Sequence, residues 1–205
     1  MSRQSNGFNV VVCASGGGGN FQALIDARES LAIDITKLLV DRPCGAIQRA
    51  MDASIPYAIL NKAAGNAEFA MLFANTIPEA TDLIVLAGFM PILPREVCAN
   101  WKNKIINTHP SLLPKYGGRG MYGMRVQEAV IAAGETQAGC TIHYVNETID
   151  GGAIILQKAI DVIDGETPWQ LGGRIHLEEQ KLLVQAVRSF KIAATQAMTG
   201  VQNGV

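Results

Sequence analysis

Three short clusters in this 205-residue chain have the residue types and spacing to do chemistry. The first is Ser15-Gly16-Gly17-Gly18-Gly19-Asn20. It follows a continuous apolar run and precedes residues spaced for a helix, so backbone N–H groups and a helix N-terminus would converge on one point. A phosphate is the natural ligand there. A bare tight turn is the alternative, but four glycines cost more chain entropy than a turn requires, which favours anion binding. Neither standard phosphate loop fits. No Lys-Ser/Thr follows the glycines, and Phe21 stands where a dinucleotide fingerprint beginning at Gly16 needs its third glycine.

The second cluster is Asn107-Thr108-His109-Pro110. Strand alternation puts Asn107 and His109 on one side of the chain, where an amide donor and a titratable imidazole can meet the same substrate atom. A histidine that caps a loop carbonyl reads equally well from this cluster alone. The third is Asp150-Gly151-Gly152, which by itself favours a hairpin turn, because Asp-Gly between alternating apolar runs is a strong turn signal. His143, within a strand, and His176, on a helix face, read individually as structural residues.

The elements that must position these clusters alternate. Phe8 to Ala14, Ile35 to Val40, Tyr57 to Leu60, Leu83 to Ala87 and Lys104 to Thr108 are predicted strands. Between them, helices are predicted from Asn20 as cap, with Phe21, Leu24, Ile25 and Leu31 on one face, over Gly45 to Ala53, and over Glu68 to Ile77. Strand-helix alternation argues for an α/β fold with a mostly parallel, twisted sheet covered on both faces. The second cluster then lies at the carboxyl end of the fifth strand, where ligands bind in open sheets of this kind.

After residue 109 the rhythm changes. Pro110, Pro114, Gly117, Gly118 and Gly120 mark a long irregular segment, the kind that is more often functional than idle. A helix over Tyr122 to Ala133, strands over Cys140 to Val145 and Ala153 to Ile160, and a long amphipathic helix opened by Pro168 and running through Leu171, Ile175, Leu182, Val184 and Val187 complete the pattern. No repeat or linker interrupts it, so residues 1–205 are expected to form one domain.

Seventeen basic against eighteen acidic residues leave a charge of −1, which offers no bulk attraction to nucleic acid or an anionic membrane. The apolar stretch Leu83 to Leu93 is interrupted by Pro91 and is shorter than the roughly 20 residues of a membrane span. Met1 to Asn9 is polar, and Val10 to Ala14 is too short for a signal-peptide core, so a cytoplasmic protein is expected. Cys13, Cys44, Cys98 and Cys140 stand singly, at no metal-ligand spacing, and are expected to be reduced thiols.

Taken together, Val12 to Asp26 (VCASGGGGNFQALID), Asp82 to Leu93 (DLIVLAGFMPIL), Ile106 to Tyr116 (INTHPSLLPKY) and Thr141 to Gln157 (TIHYVNETIDGGAIILQ) closely resemble the phosphoribosylglycinamide formyltransferases, within the folate-dependent formyltransferase family. The resemblance implies a Rossmann-like core with a C-terminal antiparallel strand pair and a long helix. It implies transfer of the formyl group of 10-formyltetrahydrofolate to the amine of glycinamide ribonucleotide, in purine synthesis and without a metal. As that amine adds to the formyl carbon, the formyl oxygen gains negative charge. Asn107 is expected to donate to that oxygen, His109 to act as donor and general acid, and Asp150 to pair with the imidazole and hold a water that takes the amine's proton.

Substrate phosphate is expected on Gly18, Gly19 and Asn20, where the family reads Gly-Ser-Asn. Gly19 replaces the serine, and restoring a hydroxyl there is expected to tighten binding modestly. His176 and Glu179 are expected to add substrate contacts; beyond them the family often has His and Tyr-Pro, where this chain has Gln180 and Leu183-Val184. The folate is expected against Met90, Pro91, Ile92, Leu93, Asn107 and the loop Asn146, Glu147, Thr148, Ile149 and Asp150, with Pro91 where some members carry Arg. The assembly expected, if any, is a homodimer.

Methionyl-tRNA formyltransferases add a C-terminal domain to this core and formyltetrahydrofolate deformylases an N-terminal one; neither extension is expected. The alternative within the family is the same Asn-His-Asp centre acting on another amine, such as a sugar nucleotide. Outside it stands a nucleotide-binding module without chemistry, for which Asp41 at the end of the second strand imitates a ribose-binding acid. That reading leaves Asn107 and His109 idle.

Overall fold

Seven strands make one sheet in the computed structural model, which describes residues 7–60 and 66–202, so the polar reading of Met1 to Asn6 lies outside it. The strands are β1 (Phe8–Ala14), β2 (Ile33–Val40), β3 (Tyr57–Ile59), β4 (Leu83–Leu86), β5 (Ile105–His109), β6 (Gln137–Tyr144) and β7 (Ile154–Asp161), in the spatial order β3-β2-β1-β4-β5-β6-β7. The first five are parallel, and β6 and β7 join antiparallel to β5. All seven residues of β1 are buried, as its apolar run, broken only by Asn9, requires of a central strand covered on both faces. The chain winds outward from β1 to β3 and then crosses back to β4. The strand order therefore reverses between β1 and β4, and a crevice opens at their carboxyl ends.

The helices are α1 (Gly19–Leu31), α2 (Gly45–Asp52), α3 (Asn66–Thr76), α4 (Arg95–Asn100), α5 (Met124–Ala132) and α6 (Pro168–Gln202). Two cores result from the two-residue period of the strands. Val10, Val12, Ile106 and Ile142 pack with Phe21 and Leu24 of α1 and with Leu171, Ile175, Leu183 and Val187 of α6. Val11, Cys13, Ile84 and Ile105 face the other way, onto Phe69 and Phe73 of α3 and Val97 of α4. By the same alternation Asn107 and His109 share a face with Ile105, while Thr108 shares the α6 face with Ile106.

Several expectations shift. α4 was not expected: six residues entered through Pro94 are too few to show a period. α5 starts at Met124 instead of Tyr122, because Gly123 has φ 56, outside the helical region. Asn20 does not cap α1; Gly18, at φ 74, takes the N-cap position, and Asn20 lies within the first turn. In α6, Leu183 and Ala186 are fully buried and Val184 only partly. All four thiols are free; burial pushes that of Cys13 upward and that of Cys140 up to about 12.

Candidate active site

A cavity of about 850 Å³ occupies the crevice. Its wall brings together the glycine loop after β1, residues 86–93 at and beyond the end of β4, residues 107–110 at the end of β5, and the loop between β6 and β7, with His176 and Glu179 of α6. Every residue placed at the site by sequence lines it, from Gly18, Gly19 and Asn20 through Met90 to Leu93 and Asn146 to Asp150. Arg42, Thr108, Arg119 and His143 also line it.

Asn107, His109 and Asp150 converge through two histidines, not one. His109 is buried, and its Nε2 donates to the Tyr116 carbonyl at 2.8 Å, which leaves Nδ1 facing Asp150 Oδ2 at 3.6 Å. Asp150 Oδ2 also accepts from the Gly118 N–H at 2.9 Å. His143 pairs with Asn107 across the β5–β6 ladder. Its Nδ1 donates to the Tyr144 carbonyl at 2.8 Å, so Nε2 keeps a lone pair for one N–H of Asn107 Nδ2 at 3.1 Å. Burial pushes the His143 pKa below the usual histidine value and keeps the ring neutral, consistent with this acceptor role. The second N–H of Asn107 Nδ2 remains for the cavity. His143 thus belongs to the cluster, against its structural reading by sequence; only strand register places it beside Asn107.

The Asp150-Gly151-Gly152 turn and the acidic site residue are one feature. Asp150 takes a left-handed φ of 53 within the turn, where Gly151 N–H donates to the Thr148 carbonyl at 3.1 Å. Gly152 comes so near β6 that a β-carbon there would overlap the Tyr144 carbonyl.

Glu179 organises the other end of the cavity. It is buried, and it accepts from the Thr108 hydroxyl, from Asn20 Nδ2 at 3.5 Å and from His176 Nδ1 at 3.3 Å. The hydrogen bond to Glu179 raises the His176 pKa above the usual value. Gln180 Nε2 lies 3.0 Å from His176 Nε2. The His176 ring packs against Gly19 so closely that a β-carbon at Gly19 would overlap it. Arg49 holds the glycine loop from behind, donating to the Gly17 carbonyl at 2.7 Å and to Gln22 Oε1 at 2.9 Å. This end combines loop N–H groups, the start of α1 and a histidine, a setting for an anion.

Between the two ends the wall is apolar. Met90 and Ile92 are exposed, Leu93 and Pro91 are buried, and the Met90 N–H is tied to Ser15 Oγ at 2.8 Å. Arg95 and Glu147 form a 3.0 Å ion pair from one wall to the other. Among the described residues no cluster of three or more His, Cys, Asp or Glu could hold a metal. The arrangement can seat an aromatic ligand along an apolar wall and offer amide and imidazole donors at its end.

A family model described as formyl transferase matches residues 8–187. The chloroplastic phosphoribosylglycinamide formyltransferase of Vigna unguiculata is 36% identical over 187 residues, covering 88% of this chain and 60% of that protein. The chain thus spans about 60% of that relative's length. The trifunctional purine biosynthetic protein adenosine-3 of Homo sapiens is 36% identical over 186 residues, 87% of this chain and 18% of that protein. The solved phosphoribosylglycinamide formyltransferase of Coxiella burnetii superposes with a TM-score of 0.85 at 34% identity, over 92% of this chain and 89% of that one.

Proposed function

Because this chain belongs to the formyl transferase family, we propose that it transfers the formyl group of 10-formyltetrahydrofolate to the amine of glycinamide ribonucleotide, a step of purine synthesis. The observation that carries this reading is the convergence of Asn107, His109 and Asp150 between an anion-binding end and an apolar wall of one cavity. The cavity fits both ligands. The folate pterin lies along Met90, Ile92 and Leu93, and the substrate phosphate on the glycine loop beside His176 and Glu179. When bound, the folate supplies an electrophilic formyl carbon.

The remaining roles belong to the chain. Asn107, held by neutral His143, aims an N–H at the formyl oxygen as it gains charge. With Nε2 occupied by Tyr116, His109 exchanges its proton through Nδ1, beside the Asp150 carboxylate. Asp150 orients that ring and holds the water that accepts the amine's proton. In this reading residues 1–205 act as one formyltransferase unit in the cytoplasm. Four free thiols support a reducing compartment, and among the described residues no helix is long and apolar enough to cross a membrane.

A spectrophotometric formyl-transfer assay tests the reading, with glycinamide ribonucleotide, an amino-sugar nucleotide and water offered as acceptors. Fast transfer to glycinamide ribonucleotide alone is expected; preference for either other acceptor would replace the proposal. His143→Ala should lower kcat about tenfold with both KM values near wild type, because it loosens Asn107 without touching either ligand's wider contacts. An unchanged kcat would leave Asn107 independent of His143.

Gly19→Ser should weaken substrate binding, the reverse of the sequence expectation. The new β-carbon must displace the half-exposed His176 ring, and that displacement strains the ring's 3.3 Å contact with Glu179. KM for glycinamide ribonucleotide should rise about fivefold, the lower end of an overpacking cost, with KM for the folate unaltered. A lower substrate KM would show that the ring moves freely and the hydroxyl is used.

A further inference from the structure

We infer that Glu135, outside the cavity, is a positioning residue for the His109–Asp150 pair and acts through Tyr116. The inference rests on the reading of that pair as catalytic. One short segment touches both groups: the Tyr116 carbonyl accepts from His109 Nε2 at 2.8 Å, and two residues on the Gly118 N–H donates to Asp150 Oδ2 at 2.9 Å. The placement of residues 116–118 therefore governs how His109 Nδ1 and Asp150 Oδ2 face each other across 3.6 Å.

That segment is not in a relaxed conformation. Tyr116 has φ 55, a left-handed value that a tyrosine adopts only when its surroundings hold it there. The hold is visible at the other end of the side chain. The Tyr116 hydroxyl donates to Glu135 Oε1 at 2.9 Å, and Lys115 Nζ donates to the same oxygen at 2.8 Å. Glu135 itself is part of the frame. Its N–H donates to the Val130 carbonyl of α5 at 3.3 Å, and β6, which carries His143, begins two residues later. A carboxylate fixed to α5 and β6 thus grips the ring whose own carbonyl grips His109. The Lys115 contact is largely exposed and contributes little of this hold.

The test pairs steady-state kinetics with ¹⁵N NMR of the His109 ring in the ligand-free protein. Tyr116→Phe keeps the apolar ring and removes the donor; Glu135→Ala removes the acceptor; Glu135→Gln retains an acceptor oxygen. Tyr116→Phe and Glu135→Ala should each lower kcat about five- to tenfold with both KM values within about twofold, the order a loss of fine positioning costs. The double variant should be no worse than either single one. Glu135→Gln and Lys115→Ala should stay near wild type. In wild type the His109 ring should show a protonated, hydrogen-bonded Nε2, and in Tyr116→Phe and Glu135→Ala that signal should move toward averaged tautomers. An unmoved His109 spectrum overturns the inference, as does a moved spectrum with unchanged kcat in a protein that transfers formyl groups. Absence of formyl transfer in the wild type would instead overturn the functional reading, while the spectrum still decides whether Glu135 holds the ring.

Discussion

His109→Ala, Asn107→Ala and Asp150→Asn each lower kcat by about 100-fold or more, and the three variants remain folded. The size follows from what each change removes. Asn107 offers the cavity an N–H whose direction is set by His143, and loss of one preorganised donor to a developing oxyanion costs about 100- to 1,000-fold. His109→Ala removes the ring nitrogen at which a proton can be exchanged, and leaves the Tyr116 carbonyl and Asp150 without their common partner. Asp150→Asn keeps the shape and an acceptor for the Gly118 N–H, yet takes away the negative charge that faces both His109 and His143, at 3.6 and 3.7 Å. Because the groups act as a unit, combining the substitutions should cost little more than the worst of them. Single-turnover measurements at saturating ligands, with circular dichroism to verify folding, decide it. Near wild-type turnover in all three variants would remove this cluster from the chemistry.

Glu179→Gln should raise KM for glycinamide ribonucleotide about 10- to 100-fold and leave KM for the folate within about twofold. The carboxylate accepts from Thr108, Asn20 and His176, donors from β5, α1 and α6. An amide offers one oxygen in place of two, so at least one buried donor meets an N–H₂ group. Hydrogen bonds to a charged group contribute about 1.5 to 3 kcal/mol, which sets the range of the effect. The change should also be visible in pH dependence. Glu179 raises the His176 pKa, so in wild type the imidazolium persists to higher pH than an isolated histidine and its attraction for phosphate is lost as pH rises through that raised value. Without the carboxylate the ring loses its proton at lower pH, and the rise in substrate KM should begin correspondingly earlier. Identical KM–pH curves for the two proteins would place His176 away from the phosphate.

The strands of the sheet were legible because their signals are local. Apolar runs such as Val10 to Ala14, closed by Ser15 and the glycines, and Leu83 to Ala87, closed by Gly88, mark buried parallel strands, and Pro168 marks the start of α6. α4 escaped because six residues carry too little periodicity, and the start of α5 was misplaced because the backbone of Gly123 outweighs the helical spacing around it.

The chemistry divides the same way. Residue type and short spacing marked Asn107, His109 and the glycine loop as candidates, since an amide two residues from an imidazole on one strand face is a property of the chain itself, while Asp150 and the proposed roles came from the resemblance to the formyltransferases. What those groups touch was decided only by the tertiary structure. Asn107 meets His143 through the register of β5 against β6, 36 residues apart, and Glu179 reaches Thr108 across 71 residues and Asn20 across 159. A β-carbon at Gly19 would overlap the His176 ring because the packing of α6 brings that ring against the glycine loop. Register and helix placement are set by how whole faces pack, and packing energy is summed over many distant residues, so no short stretch of sequence records it.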